Sequence, residues 1–118
     1  MKPSYEGLEV TQLARDLIKE VYVVTKFFPN DEKFGLISQL RRSAMSVLLN
    51  IAEGSMKNSK LDFARFIRNS LGSLIEVDAA IKISRELDYM QKIETEKILG
   101  MISPLYFKLI GLDKYLRK

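Results

Sequence analysis

Apolar residues recur along this chain at spacings of three and four, with polar residues filling the faces between them. From about Leu8 to Phe27 the stripe is Val10, Leu13, Leu17, Val21 and Val24, continued by Phe28. That is the period of an amphipathic helix. Pro29 disfavours helix at Phe28, and Asn30-Asp31 is turn chemistry. A second stripe, from about Lys33 to Glu53, is Ile37, Leu40, Ala44, Val47 and Ile51. A third runs from Ser59, a plausible N-cap, to about Leu87 through Ala64, Ile67, Leu71, Leu74 and Ile81. The fourth, from about Ile93 to Leu116, is Ile98, Ile102, Leu105, Leu109, Leu112 and Leu116. Pro104 lies inside it and should bend the helix or remove one hydrogen bond. The stripe keeps its phase across the proline, so one bent helix is expected. Four amphipathic helices with short connections predict an all-α, antiparallel up-down-up-down four-helix bundle. Residues 1–118 form a single domain on this reading, without linker or low-complexity tract.

Composition narrows the chemistry. Hydrophobic residues make up 47% and charged residues 29%, the balance of a chain that can bury a core. Neither cysteine nor histidine occurs. Thiolate and imidazole metal sites, the usual general base and every imidazole triad are therefore excluded. No G-x-x-x-x-G-K-[ST] phosphate loop is present. Carboxylates exist at Glu53, Asp62, Glu76 and Asp78, but no constellation of perturbed groups is visible. No enzyme, cofactor or metal is expected. The opening "MKPSYEGLEV" lacks the apolar core of a signal peptide, and no stretch approaches the roughly 20 apolar residues of a membrane span. A cytoplasmic protein is expected. The net charge of +4 permits acidic partners without requiring them.

The faces left over after core packing are informative. With Ala44 inward, Arg42, Ser46, Leu49 and Glu53 share the far side, and Arg41, Met45, Leu48 and Ala52 flank it. With Ile67 inward, Arg65, Asn69, Gly72 and Glu76 line the opposite face of the third helix. A mid-helix glycine costs ~1 kcal/mol against alanine, and close packing on its backbone is a common reason to keep one. Met45, Leu48, Leu49, Phe63, Phe66, Ile75 and Val77 exceed what one stripe can bury, which suggests a subunit interface. Arg42 would then pair with Glu53 or Glu76 of a neighbouring copy and fix register. In "NIAEGS", Asn50 and Glu53 would anchor the turn into the third helix. Glu53 would take a cation from Arg42 or an apex lysine, and Gly54 would supply a left-handed C-cap.

The stretches "GLISQLRRSAMSVLLNIAEGS" and "SKLDFARFIRNSLGSLIEVD" resemble the small bacterial proteins of the 23S rRNA intervening-sequence family, once labelled S23 ribosomal proteins. The accessory variability proteins of diversity-generating retroelements are relatives. The likeness begins at Tyr5, Glu6 and Leu8 and passes through Phe28 and Pro29. It is densest at Gly35, Leu36, Gln39 to Arg42, Ala44 and Ser46. It takes in Asn50 to Gly54, Ser59, Phe63, Phe66, Gly72, Ser73 and Glu76, and fades after "LDYM". The sequence departs from the family at Ser43, where alanine is usual, near Leu48, where proline is, at Asn58, often basic, and at Asp78, often glutamate. The resemblance implies a homo-oligomer, by analogy a homopentamer with a basic surface. Its retroelement relatives are thought to bind nucleic acid and a reverse transcriptase.

The charge pattern itself offers two basic clusters. Lys57, Lys60, Arg65 and Arg68 lie near the apex between the second and third helices, diluted by Asp62, and Lys108, Lys114, Arg117 and Lys118 gather near the carboxyl end. Phosphate contacts add with each charge, so either cluster, repeated in an oligomer, could hold RNA or DNA by its backbone. No aromatic platform for base stacking is evident in the sequence. The alternative is a protein-interaction scaffold using the same exposed apolar residues.

Overall fold

Each stripe becomes one helix. The computed structural model describes Met1 and residues 3–118. Helix α1 spans Glu9–Thr25, α2 Leu36–Ser55, α3 Lys60–Glu86 and α4 Lys92–Leu116, with single 3-10 turns at Ser4–Gly7 and Asn30–Glu32. No strand occurs among the described residues. Ser59 caps α3 as expected, its hydroxyl accepting from the Asp62 amide at 3.1 Å. The Gln91 and Glu94 side chains form a capping box at the start of α4. Pro104 does not interrupt α4. The proline and Gly100, whose carbonyl loses its donor, are both exposed, so water can satisfy the freed group.

Helices adjacent in sequence pack together, α1 also packs on α4, and the diagonal pairs stay apart. The four helices thus occupy the corners of a square in chain order. Cross-links between helices confirm the alternating direction: Glu20 meets Lys97, Glu9 meets Lys108, Ser46 meets Ser73 and Arg68 meets Asp113. Leu17, Val21, Leu40, Val47, Ile51, Ile67, Leu74, Ile81, Ile98, Leu105 and Leu109 are fully buried along the axis. Burial of each such side chain contributes roughly 1.5–3 kcal/mol before entropy is counted.

Two expectations change. Val77 is fully buried rather than surplus, because α3 packs on both α2 and α4 and needs a broader inward arc than one stripe. That arc includes Ser70, whose hydroxyl donates to the Val47 carbonyl at 2.8 Å. Gly54 is not a left-handed cap. It lies inside α2, and no glycine among the described residues has positive φ. A Cβ there would sit 2.7 Å from Phe66 Cβ and 2.9 Å from Phe63 Cδ1. The glycine is required by the close approach of α3 to the last turn of α2. The left-handed residue is Asp88, φ 63°, just after α3. The Tyr89 amide reaches the Ser84 carbonyl and the Asp88 amide the Arg85 carbonyl, the two bonds of a Schellman motif.

Candidate nucleic-acid interface

Because the helices alternate, the α2–α3 turn and the carboxyl end of α4 share one end of the bundle. The two basic clusters, remote in sequence, therefore form one. Lys57 Nζ stands 4.9 Å from the centroid of Phe66, whose position is set by Gly54. One turn on, Lys60 Nζ stands 5.2 Å from the ring of Tyr115 in the last turn of α4. Arg65 pairs with Asp62 at 3.1 Å, an exposed contact within one helix of small energetic weight. Arg68 Nε lies 3.3 Å from Asp113, which also receives Arg117 Nε at 2.8 Å. Burial works to raise the pKa of Asp113, but hydrogen bonds from Arg117 and Arg68, with their charges, hold it below its usual value. Asp113 is a clamp between α3 and α4 rather than an open acid.

The four candidate contacts thus divide. Lys57 and Lys60 are exposed over rings, whereas Arg65 and Arg68 already have carboxylate partners. Lys114 and Lys118 are exposed and form no ion pair among the described residues. Lys108 is tied to Glu9 at 3.2 Å. Tyr115 was passed over by sequence reasoning. The signal was the up-down topology, which sets the end of α4 beside the start of α3.

The remaining candidates lie along the second and third helices. Arg41 packs its guanidinium 4.5 Å from the Tyr22 ring and donates to Thr25 Oγ1 at 3.0 Å, tying α2 to α1. Arg42 is exposed and forms no ion pair among the described residues. It lines an open polar groove of about 330 Å³ with Gln39, Ser43, Ser46, Ser73 and Glu76. Glu76 does not simply point away from its own bundle: Gln39 and Ser43 donate to one of its carboxylate oxygens at 3.2 and 3.0 Å. Asn50 donates back to Ser46 at 2.9 Å, so it braces α2 rather than the turn. Glu53 is exposed and has no ion pair among the described residues. Gly72 is exposed with open space beside it, so nothing in this chain explains a glycine there.

Apolar grooves lie on two sides of the surface. One, of about 350 Å³, is lined by Tyr22, Arg41, Arg42, Met45, Ser46 and Leu49 on the α1–α2 side. The other, of about 260 Å³, lies between α3 and α4 and is lined by Arg68, Leu71, Gly72, Ile75, Tyr106, Ile110 and Asp113. In the square arrangement these are opposite faces. No cluster of acidic residues among those described could hold a metal ion. No helix among them is long and apolar enough to cross a membrane.

The sequence profile of the 23S rRNA-intervening sequence protein family matches residues 6–111. The chain belongs to that family. A solved structure from Bacteroides thetaiotaomicron, described as a protein of unknown function from the S23 ribosomal protein family, superposes with a TM-score of 0.82. It is 21% identical, and the match covers 89% of this chain and 98% of that one. That likeness establishes a shared fold. No curated protein sequence matches. The family match takes in Lys57, Lys60, Arg65, Arg68 and the whole α2–α3 seam, while Lys114, Tyr115 and Lys118 lie beyond it.

Proposed function

We propose that this 23S rRNA-intervening sequence protein is a non-enzymatic, self-associating bundle of the cytoplasm that holds nucleic acid by its phosphates at one end. The observation that carries this reading is the convergence of Lys57, Lys60, Lys114 and Lys118 at a single end, each exposed and none paired with a carboxylate among the described residues. Four unpaired cations there would displace counterions from a polyanion and give a steep salt dependence. The lack of histidine and cysteine supports a role without catalysis. The test is fluorescence anisotropy of nuclease-treated protein with structured RNA and duplex DNA across a salt series. Changing the four lysines to glutamine should flatten the log–log salt slope by about 3–4. No binding by the unaltered protein at low salt would overturn the reading.

Self-association is supported by the two apolar grooves. Opposite faces of one subunit would meet between neighbours, a heterologous contact that closes into a ring when the rotation allows. The resemblance points to a homopentamer, which would repeat the basic end around one rim. Sedimentation equilibrium gives the mass directly. Gly72→Leu, whose Cβ would have nothing within 4 Å and whose side chain would extend into the open α3–α4 groove, should reduce the mass to one bundle while the helical melt persists. Arg42→Ala should weaken the assembly, and an unchanged mass and melt would remove Arg42 from the contact. The same grooves favour a second reading, a protein-interaction scaffold or accessory subunit, for instance to a reverse transcriptase. Failure to bind any nucleic acid would leave that reading in front.

A further inference from the structure

We infer that Tyr115 is a stacking platform for one unpaired base, so that the basic end takes a single strand in preference to a duplex. The inference rests on the reading of this end as a nucleic-acid site and adds the strand class and the contacting ring. Tyr115 is 57% exposed although it is a large aromatic. It makes no aromatic pair and no side-chain hydrogen bond among the described residues. Other exposed rings are differently placed: Phe34 also has a lysine, Lys33, over its ring, but it stands at the opposite end of the bundle, next to Asp31 and Glu32 in the chain. Tyr22 is covered by Arg41, Phe107 stands edge-on to Tyr106, and Phe27 shares its groove with Asp88 and Glu94. Tyr115 has Lys60 over its ring, with Lys114 and Lys118 beside it along the chain.

That arrangement suits a nucleotide. The Lys60 ammonium occupies the electron-rich face of the ring in an exposed cation–π contact. A base stack on the same face is the stronger interaction, so a base can displace the ammonium, which is then free to meet the adjoining phosphate. Lys114 and Lys118 can hold phosphates on either side. Bases within a duplex have both faces covered by their neighbours and cannot reach the ring without unstacking. Stacking reads no base edge, so binding is tolerant of sequence.

The chain has no tryptophan, so Tyr115→Trp introduces a single indole at the platform, which can be excited apart from the remaining tyrosines. Titration with short uridine and deoxyuridine oligomers should quench it. Quenching by either strand supports the stack, and the stronger quench identifies the preferred sugar. Quenching by neither overturns it. In parallel, Tyr115→Ala should weaken single-strand binding about tenfold to a hundredfold, a range set by one lost base stack. Tyr115→Phe should retain the affinity, and duplex binding should be unchanged in both. If single strand and duplex weaken equally in the alanine variant, or neither weakens, the ring has no stacking role, while the phosphate reading survives. If the unaltered protein binds neither nucleic acid, both readings fall.

Discussion

At the end of the bundle where α1 hands over to α2 and α3 to α4, Glu32, Arg85 and Glu94 engage the backbone. Glu32 accepts the Leu36 amide with one carboxylate oxygen and the Tyr89 hydroxyl with the other, both at 3.0 Å. Tyr89 lies against Phe28, ring centroids 5.6 Å apart. Arg85 donates to the Met90 carbonyl, and in the capping box of α4 the Glu94 carboxylate accepts from the Gln91 amide. At the other end, Lys57 and Lys60 lie over rings, and Lys114 and Lys118 have no acidic partner among the described residues. The difference separates an end whose charged groups fasten turns from an end where four lysines form no ion pair among the described residues. A charge engaged by orphan helix amides or carbonyls explains its own presence. The proposed phosphate site rests on the second kind of group.

The largest expected effect breaks the basic end through its backbone. Gly54→Ala gains up to ~1 kcal/mol in helix propensity but places a methyl against Phe66 Cβ and the Phe63 ring. Phe63 can swing, whereas Phe66 Cβ moves only with α3. Overpacking of this kind costs about 1–3 kcal/mol, so a net loss is expected, larger for Gly54→Val. Denaturant melts monitored by circular dichroism check it. Stabilisation by alanine would mean that α3 sits farther from α2 than described.

Next comes the tied end. Glu32→Ala leaves the Leu36 amide and the Tyr89 hydroxyl without their acceptor and removes a negative charge from the start of α2. Loss of a capping acceptor costs about 0.5–2 kcal/mol. Binding to nucleic acid should be unaffected when measured well below the melting transition. A change in binding as large as that of the lysine variants would erase the distinction between the ends.

The helices were legible in the sequence because their stripes repeat over several turns, and Ser59 and Pro29 marked real boundaries. Gly54 was misread because a glycine after an apolar stripe looks like a C-cap. Only the crossing of α3 over α2 reveals that its missing Cβ makes room for Phe63 and Phe66. Asp88 drew no reading: it carries the left-handed conformation that glycine usually carries, so its side chain concealed the cap. Half of the candidate site was legible as a run of cations. Its other half, Tyr115 with Lys114 and Lys118, joins it only through topology. The neutralisation of Arg68 by Asp113 depends on a contact between helices that no local pattern encodes.

A smaller effect follows from that concealed cap. Asp88→Gly removes the steric cost of a side chain at φ 63° while keeping both Schellman bonds. Stabilisation of about 1 kcal/mol is expected, a rise in Tm of about 5 °C for a chain this size. A fall in Tm would show that the Asp88 side chain, rather than its backbone, secures the turn.

The smallest expected effect separates the ends by pH. The hydrogen bond to Glu32 raises the Tyr89 pKa above its ordinary value, with burial and the charges of Glu32 and Asp31 acting in the same direction. Its contribution is therefore complete below about pH 10 and is lost as pH climbs through the raised folded-state value. Asp113 does the reverse. Burial opposes ionisation, but Arg117 and Arg68 prevail and lower its pKa. Its contribution is present above about pH 4 and disappears as pH falls through the lowered value. Thermal melts across pH should thus show Tyr89→Phe flattening only the alkaline limb and Asp113→Asn only the acid limb. Both variants acting on the same limb would mean that the two ends are not electrostatically independent. Separate limbs would show that one bundle carries two fastenings of opposite protonation, one at its tied end and one behind its exposed cations.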